Sequence, residues 1–422
     1  MPDLPFPRGM RDLLPNAALF RNELIGKIED VFRRFGFLTI DTPMVESLDL
    51  LNAKGVIGED AKLIYELKGD KLGLRYDQTV SLARYMAMHQ ELPLPFKRYA
   101  IGKAWRRDEP QKGRYREFTQ ADVDIIGGEI APTDAEVLAV VAKAFDEIGL
   151  GYKIKISNRA LMNSLLDAFG VKKELHVETM RIIDKLEKLG RDKIVELLES
   201  LGLERDPISK IDDLINMKGT NDEKIAFVQK LTTDKSANDL AGLIKLVSSY
   251  GIKGSLEVDF SIVRGLDYYT GVVFEFTDPK GALRVSLAGG GRYDNLIGSY
   301  GGRSLPAVGV AIGIDTIMDM MNFMESPKYT YARLFIVCVK DSNYQYGLKT
   351  ANWFRGQGVA TDINLASRNI SNQLSYANSM KFEYAAVVGD AEEKEGKIKL
   401  RNLITGEDIS VTPQDALKII NR

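Results

Sequence analysis

Apolar positions recur at helical spacing in some parts of the chain and alternate with polar ones in others. Over 19–35 they follow the period of an amphipathic helix, and Gly36 stands where such a helix ends. The next segment, 37–46, reads FLTIDTPMVE and predicts a strand. Short alternating segments within 62–127, with one helix predicted over 79–89, are typical of antiparallel hairpins rather than βαβ repeats. The pattern therefore predicts a mainly antiparallel sheet.

The middle of the chain changes from strand patterns to helical ones. An amphipathic helix is predicted over 133–148, followed by a strand over 152–157 and a further helix directly after it. Within 171–250, segments rich in Lys, Glu and Leu repeat at helical spacing with almost no strand signal. We interpret this region as a helical subdomain inserted into the fold. Strand patterns return at 256–263 and continue to 307–315.

A second domain is predicted near the C-terminal end. Pro327, in ESPKYTYA, marks a linker. Beyond it, strand patterns at 333–339, 359–364 and 384–389 alternate with helical ones. Such βαβαβ alternation predicts a small α/β domain with a largely parallel sheet.

One stretch among the strand patterns carries polar chemistry. SIVRGLDYYTGVVFEF, at 261–276, begins and ends like a strand but contains Arg264, Asp267, Tyr268 and Tyr269 between two glycines. Glycine in a strand allows backbone or ligand to approach closely. Two interpretations are open from this stretch alone. The polar residues face a ligand from a rigid platform, or Arg264 and Asp267 form an ion pair beside two ordinary half-buried tyrosines.

Composition narrows the class of protein. The chain of 422 residues exceeds one ordinary core, so two or three domains are expected. It is 45% hydrophobic and 27% charged, without an apolar run near the roughly 18 residues that a membrane helix needs, so we expect a soluble protein. The proline-broken N-terminus does not resemble a signal peptide, and a single cysteine, Cys338, excludes an intrachain disulfide. Both features suit a cytoplasmic location.

Metal and nucleotide chemistry are constrained as well. His89, His176 and Cys338 are too few for a Cys/His zinc site, so metal chemistry would rest on carboxylates. The 57 basic and 59 acidic residues nearly balance, so any contact with RNA must use local patches. No GxxxxGK[ST] loop occurs, and AGGGRYDNL fails the GxGxxG pattern at Asp294. If the protein uses ATP, it binds it without a phosphate-binding loop.

Basic and acidic residues concentrate within 97–127. Four arginines are predicted on two strands joined by a polar loop, where paired guanidiniums grip phosphate oxygens; a solvated charged hairpin is the alternative. They are Arg106, Arg107, Arg114 and Arg116. Asp122 and Asp124 alternate with apolar residues, so their carboxylates share one face of a strand. Acidic and basic groups are therefore expected together on one face of the sheet.

Several motifs together resemble one family. RGLDYYTG, AGGGRYDNL and WRRDEPQKGRYREFTQADVDI closely resemble motifs of the histidyl-tRNA synthetases, which are class II aminoacyl-tRNA synthetases. RGMRDLLP, GFLTIDTPMVES (similar to the motif 1 dimer segment) and LRYDQTVSLARY (similar to a histidine-binding loop) extend the resemblance. The segment from IVCVKD to YAAVVGD resembles an anticodon-binding domain. The resemblance spans nearly the whole chain, and the order of the motifs matches the family.

The resemblance implies a reaction and an architecture. The family joins histidine to ATP, which gives histidyl-adenylate and pyrophosphate, and transfers the histidyl group to the 3′ end of tRNA(His). It implies an α+β catalytic domain over 1–329 on a mainly antiparallel sheet, interrupted by a helical insertion at 171–250, and an α/β anticodon-binding domain over 330–422. It also implies ATP as co-substrate with Mg²⁺ carried on it, a cytoplasmic homodimer, no membrane association and no protein-bound metal.

Catalytic and ATP-binding roles follow from the same resemblance. Arg264 and Arg106 would face the α-phosphate and the substrate carboxylate as a fork of two arginines, where other class II enzymes place a metal ion. Asp108 would lie near the adenine amino group. Arg114 and Arg116 are candidates for binding the outer phosphates, together with Arg106.

The resemblance also implies a pocket for histidine. An imidazole has two ring nitrogens, and Asp124 and Tyr269 would lie beside them. A site of obligatory hydrogen bonds rejects analogues that lack them by roughly 10⁴-fold, so no editing domain is required. The remaining pocket residues are Asp77, Thr79 and Gln120 at the ammonium, the backbone of Gln78 alongside, Tyr268 and Tyr293 as walls, and Arg106 and Arg264 at the carboxylate.

One position departs from the family's pattern. Motif 3 usually ends in an acidic residue followed by arginine, but in AVGVAIGIDTIMD Asp315 is followed by Thr316. Either a neighbour such as Arg303 replaces the arginine that grips the γ-phosphate, or ATP binds more weakly than in the family. Alternatively, Thr316 simply begins a packed helix. The departure leaves a second hypothesis for the whole chain, a catalytically silent paralogue that acts as a regulatory or RNA-binding subunit.

Overall fold

The computed structural model describes residues 6–52, 62–263, 268–282, 285–322, 329–366 and 369–421. The chain divides into two compact units, one formed by 1–11 with 24–321 and the other by 12–23 with 322–422. Arg264, Asp267 and Pro327, which the sequence singled out, lie outside the described residues. Within them, the helices are all too short or too polar to cross a membrane.

The first unit contains two sheets. Its strands are β1 (Leu38–Thr39), β2 (Val45–Ser47), β3 (Tyr65–Glu66), β4 (Leu72–Leu74), β5 (Phe96–Trp105), β6 (Glu117–Ile126), β7 (Lys153–Asn158), β8 (Ser255–Val258), β9 (Val272–Thr277), β10 (Ala288–Arg292) and β11 (Ala307–Gly313). Eight form one sheet in the order β1-β5-β6-β11-β10-β9-β7-β8, and the others form a small sheet, β2-β4-β3. In the large sheet only the two outermost pairings are parallel. The predicted mainly antiparallel sheet is therefore confirmed.

Thirteen helices are described between 15 and 320. They are α1 (Pro15–Arg34), α2 (Leu48–Leu51), α3 (Thr79–Met88), α4 (Ile130–Glu147), α5 (Arg159–Ala168), α6 (His176–Ile183), α7 (Leu186–Leu189), α8 (Arg191–Ser200), α9 (Arg205–Ile215), α10 (Asn221–Leu231), α11 (Ser236–Ser249), α12 (Leu296–Ser299) and α13 (Ile314–Met320). Gly36 follows α1 with φ of 77°, a left-handed conformation that suits glycine after a helix. The region 171–250, all of it described, contains α6–α11 and no strand.

The centre of the large sheet is β6, which pairs with β5 on one side and β11 on the other. Ala121, Val123 and Ile125 point to one face and are almost completely buried. The amphipathic α4 packs against β6 and β11. The alternate positions of β6 carry polar side chains to the other face, so one strand serves both the core and a polar floor.

Glycines make room for those polar side chains. Gly309 of β11 lies opposite Asp124, and a Cβ added at Gly309 would come within 1.8 Å of the Asp124 Oδ1 atom. On the other side, a Cβ at Gly290 of β10 would lie 1.9 Å from the Gly309 carbonyl oxygen. Close backbone approach in the middle of the sheet therefore requires glycine at both positions.

The helical region 171–250 is attached to the free edge of the large sheet. The side-chain amide of Asn221, at the start of α10, donates to the Leu256 carbonyl (2.9 Å) and accepts from the Val258 backbone N–H (2.8 Å). Lys224, one turn later and buried, donates to the carboxylate of Glu257 (3.0 Å). A side-chain amide thus occupies the backbone groups of edge strand β8 that a neighbouring strand would otherwise bond.

Two local predictions in this unit are wrong. The segment 37–46 is not one strand but two short ones, β1 and β2, with Pro43, which has no N–H to donate, between them. The arginines predicted on two strands lie instead in the connection between β5 and β6, because β5 ends at Trp105 and β6 begins at Glu117. Gly113, at φ of 78°, reverses the chain there within a Gln111–Arg114 bridge.

The second unit is an α/β domain with one sheet. Besides the part of α1 that falls within 12–23, its elements are β12 (Leu334–Cys338), α14 (Tyr344–Gly356), β13 (Thr361–Ile363), α15 (Ile370–Ser379), β14 (Tyr384–Val388), α16 (Asp390–Glu395), β15 (Ile398–Asn402), β16 (Asp408–Val411) and α17 (Pro413–Ile420). In the order β13-β12-β14-β15-β16, the first three strands are parallel and the last two antiparallel. The sequence pattern predicted the parallel strands and missed the closing hairpin.

The ion pairs at Glu257 predict how the attachment of α10 responds to pH. Hydrogen bonds from Lys153 and Lys224 lower the pKa of Glu257 to about 2, against an unfolded-state value of about 4.3. A depressed carboxyl pKa contributes stability above the unfolded value, and this contribution is lost as the pH falls through 4 toward 2. Glu257→Gln should lower the free energy of unfolding by about 1 kcal/mol at pH 7, since the carboxylate is partly exposed, and by less at pH 3.

Urea unfolding of the wild type and the variant at pH 7, 4 and 3 measures this difference. The matched control is Glu196→Gln, which breaks an exposed pair with Lys193 within α8 and should change little. Equal losses in both variants, or a Glu257→Gln effect that grows toward pH 3, would contradict the assignment.

The glycine packing gives a second prediction. Gly309→Ala should lower the free energy of unfolding by about 1–3 kcal/mol, because the added methyl group overlaps Asp124 in a part of the sheet that cannot expand. Gly298→Ala is the control, since a Cβ there has no neighbour nearer than 3.7 Å. The measurement is urea unfolding at pH 7, and a Gly309→Ala protein as stable as Gly298→Ala would show that the sheet yields.

Candidate active site

A cleft of about 1440 Å³ opens over the polar face of β6. Its walls come from the start of α3, the β5–β6 connection, β10, β11 and the first turn of α13, all in the first unit. Most of the residues that the sequence singled out line it. They are Asp77, Thr79, Arg106, Arg107, Asp108, Arg114, Gln120, Asp122, Asp124, Tyr268, Tyr269, Tyr293, Asp315 and Thr316.

The floor of the cleft is a buried ion pair. An Arg98 Nη2 atom of β5 lies 2.6 Å from Asp124 Oδ2, and the two side chains are 1% and 3% exposed. The register pairs Arg98 directly with Asp124, so the guanidinium and the carboxylate share one face. The Tyr293 hydroxyl donates to the other Asp124 oxygen. Burial raises the pKa of Asp124, and Arg98 and the bond from Tyr293 oppose that rise.

The start of α3 supplies a second carboxylate. Asp77 Oδ1 accepts hydrogen bonds from the backbone N–H groups of Thr79 (3.0 Å) and Val80 (3.1 Å). Such caps suit a carboxylate at a helix N-terminus. Burial raises the pKa of Asp77, while the positive charge of Arg106 lowers it. The other oxygen, Oδ2, is buried without a hydrogen-bond partner among the described residues.

Three tyrosines form an aromatic wall beside this floor. The ring centroids of Tyr268 and Tyr269 are 4.9 Å apart and those of Tyr268 and Tyr293 are 5.9 Å apart, both in edge-to-face arrangements. Burial raises the pKa values of Tyr268 and Tyr293 well above the ordinary tyrosine value, so both phenols stay protonated and are able to donate.

The next polar positions of β6 are Gln120 and Asp122. Gln120 Oε1 and both carboxylate oxygens of Asp122 are buried without a hydrogen-bond partner among the described residues. Burial raises the pKa of Asp122 to about 8; Arg98 lowers it, and Asp124 and Asp77 raise it further. Asp122 was seen in the sequence only as sharing a face with Asp124. The spacing of Gln120, Asp122 and Asp124 at every second residue was the signal for all three.

The β5–β6 connection forms the rim. Arg106 donates through Nε to the Tyr76 carbonyl (2.9 Å), which fixes its stem beside Asp77. Arg114 is engaged with Asp108, at 2.7 Å from Nη2 and 2.9 Å from Nε to the same oxygen. Asp108 and Arg114 therefore reach the cleft as a pair rather than as two separate groups.

Two described residues that were expected in the site, Gln78 and Arg116, do not line the cleft. Gln78 lies behind it, where its Nε2 is 3.4 Å from the carbonyl oxygens of Ala100 and Gln120. Arg116 donates through Nε to the Asp108 carbonyl (2.9 Å) and holds the connection from the side. Arg264 lies outside the described residues.

Thr316 packs at the first turn of α13. Its hydroxyl donates to the Gly113 carbonyl (2.8 Å), so the threonine binds the β5–β6 connection directly. Arg303, proposed as a replacement for the motif 3 arginine, instead lies 3.4 Å from the Gln90 carbonyl, away from the residues that line the cleft. The replacement by Arg303 is therefore wrong, because the segment that carries it packs at the far end of α3.

Comparisons with known proteins agree with this geometry. A family model described as histidyl-tRNA synthetase matches residues 9–317, and a model described as anticodon binding domain matches residues 333–422. A histidine--tRNA ligase of Korarchaeum cryptofilum is 38% identical, with 93% of each chain covered. That of Phocaeicola vulgatus is 34% identical, with 98% of each chain covered.

Solved structures extend the likeness to the fold. The crystal structure of a histidyl-tRNA synthetase from Nostoc sp. PCC 7120 superposes with a TM-score of 0.89 at 28% identity, and the match covers 100% of this chain and 99% of the other. The family model matches more than half of the chain, and relatives above 30% identity match it over nearly its full length. On this evidence the chain belongs to the histidyl-tRNA synthetase family.

Proposed function

We propose that the cleft activates L-histidine with ATP to histidyl-adenylate and that the protein transfers the histidyl group to the 3′ end of tRNA(His). The observation that carries the proposal is the buried Arg98–Asp124–Tyr293 arrangement at the floor, flanked by Tyr268 and Tyr269. It offers a fixed acceptor and phenolic hydroxyls at one end of a cleft whose rim is lined by arginines. The acceptor and the phenols suit an imidazole, and the arginines at the rim suit a polyphosphate.

Asp124 is the group that would recognise the imidazole. Arg98 and Tyr293 engage one site on each of its oxygens, but a carboxylate has about four acceptor sites, so about two remain, and one of them would accept from an imidazole N–H. The ion pair with Arg98 keeps the carboxylate oriented. Tyr269 would serve the other ring nitrogen, and Tyr268 and Tyr293 would enclose the ring. Asp77, Thr79 and Gln120 would receive the ammonium, with Gln78 supporting them from behind.

Formation of the adenylate needs no general base, because the carboxylate of histidine is itself the nucleophile. The protein then contributes by orienting the two substrates and by stabilising negative charge at the α-phosphate. Arg106 is the described residue best suited to this, since its bond to the Tyr76 carbonyl holds the guanidinium at the junction of pocket and rim. Arg264 completes the fork by resemblance to the family.

ATP would lie along the rim, with Mg²⁺ carried on its phosphates. Asp108 would reach the adenine amino group and Arg114 an outer phosphate, which requires their mutual ion pair to rearrange on binding. Arg116 would contribute indirectly, because its hydrogen bond to the Asp108 carbonyl holds the β5–β6 connection in position. Since Thr316 fills the place of the family's arginine, Arg114 is the described side chain best placed to compensate the γ-phosphate.

The remaining parts of the proposal concern assembly. Residues 1–329 would form the catalytic domain around the 171–250 insertion, and 330–422 would bind the anticodon region of tRNA(His). A homodimer is supported by exposed apolar side chains on the motif 1 segment, Leu38 at 61% and Met44 at 49%. A cytoplasmic location fits the single, buried cysteine.

Histidine-dependent exchange between ATP and pyrophosphate, followed by charging of tRNA(His), tests the proposed function. Exchange should occur with histidine and not with the other standard amino acids. Its absence in a folded protein would favour the catalytically silent paralogue, for which the cleft offers no separate support.

Replacement of Arg106 tests the assignment at the α-phosphate. Arg106→Ala should lower kcat/KM for exchange by about 10²–10³-fold, because the lost donor acts mainly in the transition state. Arg106→Lys should recover little, since an ammonium lacks the planar fork. Arg34→Ala, which removes an exposed pair with Glu147, is the control. Retention of more than about a tenth of wild-type exchange by Arg106→Ala would remove Arg106 from this role.

A further inference from the structure

Three buried residues of the cleft carry acceptor oxygens without a hydrogen-bond partner among the described residues. They are Asp77 (Oδ2), Gln120 (Oε1) and Asp122 (both oxygens); Asp124 Oδ2 also lacks a hydrogen bond but has the Arg98 guanidinium 2.6 Å away. Each of these residues is no more than 7% exposed. Leaving a buried acceptor unpaired costs about 1–3 kcal/mol, and more for a charged group. Three such residues in one cleft indicate a missing donor rather than three separate defects.

The sheet register brings these acceptors together. Gln120 and Asp122 are two residues apart on β6, so they project to the same face. Asp122 lies between Ala100 of β5 and Ala311 of β11, whose small side chains leave the space above it open. The contacts of Gln78 with the Ala100 and Gln120 carbonyls set the start of α3, and hence Asp77, over the same place.

Neither nearby arginine donates a hydrogen bond to these oxygens. Arg75 donates to the carbonyls of Lys103 (2.8 Å) and Thr42 (3.0 Å). Arg98 lies 2.6 Å from Asp124 as an ion pair, but its Nε, Nη1 and Nη2 atoms form no hydrogen bond with the described residues. Both act on Asp122 only through their charge. The structural alternative is that Asp122 serves as the counter-charge of Arg98, whose side-chain nitrogens have no hydrogen-bond partner among the described residues.

We propose that Asp122 is a further substrate-binding residue, whose carboxylate accepts a hydrogen bond from the α-ammonium of histidine beside Asp77 and Gln120. This inference rests on the proposed function. An ammonium has three N–H donors and no acceptor, so it matches the unpaired oxygens of Asp77, Gln120 and Asp122. It also supplies the positive charge that lets a buried carboxylate ionise; burial otherwise holds the pKa of Asp122 near 8.

Ligand pairs separate this role from a structural one. Histidinol keeps the ammonium and lacks the carboxylate, whereas 3-(imidazol-4-yl)propanoate keeps the carboxylate and lacks the ammonium. Asp122→Asn should raise the Kd of histidine and of histidinol by about 10–100-fold, as expected for loss of a hydrogen bond to a charged group. The propanoate should bind with unchanged or tighter affinity. Ligand-observed NMR titration measures all three, including millimolar Kd values.

Asp124→Asn is the matched comparison on the same strand. It should weaken all three ligands, because each contains the imidazole. Asp122→Ala is a second variant, with the same side chain as the paired residues Ala100 and Ala311 on the neighbouring strands. It should show the same pattern as Asp122→Asn. Urea unfolding checks that both Asp122 variants are folded at the titration temperature.

The outcomes are distinguishable. Equal weakening of all three ligands by the Asp122 variants, or unchanged histidine binding, would overturn the inference and leave the proposed function intact. Failure of the wild type to bind histidine would refute the proposed function itself. Selective loss of the two ammonium-bearing ligands would establish Asp122 as a reader of the substrate's amino group.

Discussion

The catalytic unit depends on the burial of charge in the middle of its sheet. Arg98 and Asp124 meet across β5 and β6 where neither is accessible to water. A buried pair of this kind contributes little net stability, because desolvation offsets the attraction, yet removal of one partner leaves an uncompensated charge. The neighbourhood is arranged accordingly. Tyr293 donates to the carboxylate, and Gly309 leaves it room.

A second layer holds the rim of the cleft over this floor. Asp319 of α13 accepts from the Gly113 backbone N–H (2.9 Å) and the Tyr115 hydroxyl (2.7 Å), and Asp315 accepts from the Thr119 N–H (2.6 Å). Thr316 adds its bond to the Gly113 carbonyl. The first turns of α13 therefore act as an anchor for the β5–β6 connection. Thr316, which stands where the family usually has an arginine, therefore makes a structural hydrogen bond here.

Sequence patterns predicted the elements whose cause is local. The periodicity over 19–35 and 133–148 reflects faces that pack on a core, and the alternation within 62–127 reflects a sheet with one polar face. The closing hairpin of the second unit was missed, although β15 (IKLRN) and β16 (DISV) both alternate apolar and polar residues, because the alternation covers only four residues in each strand and β16 is mostly exposed. The arginine connection was mistaken for strand, since propensity does not reveal the turn that Gly113 makes.

The candidate site was predictable to a similar depth. Residues carried by motifs could be named from resemblance, and most of them line one cleft. Arg98 gave no signal, because an arginine in a strand normally faces solvent and only the register shows its partner. The position of Arg303 and the pairing of Arg114 with Asp108 depend on how distant segments pack, which no local pattern encodes. Asp122 was visible as a spacing, but its unpartnered oxygens appear only in three dimensions.

The side-chain amide of Asn221, in the helical insertion, covers part of the edge of the large sheet. The strand β8 ends the large sheet, and an uncovered edge of that kind is a template for pairing with another molecule. Asn221 occupies the donor and the acceptor that such pairing would use. A shortened protein without the insertion would therefore expose the unpaired edge of β8 to other protein molecules. The insertion therefore covers part of that edge as well as belonging to the fold of the catalytic unit.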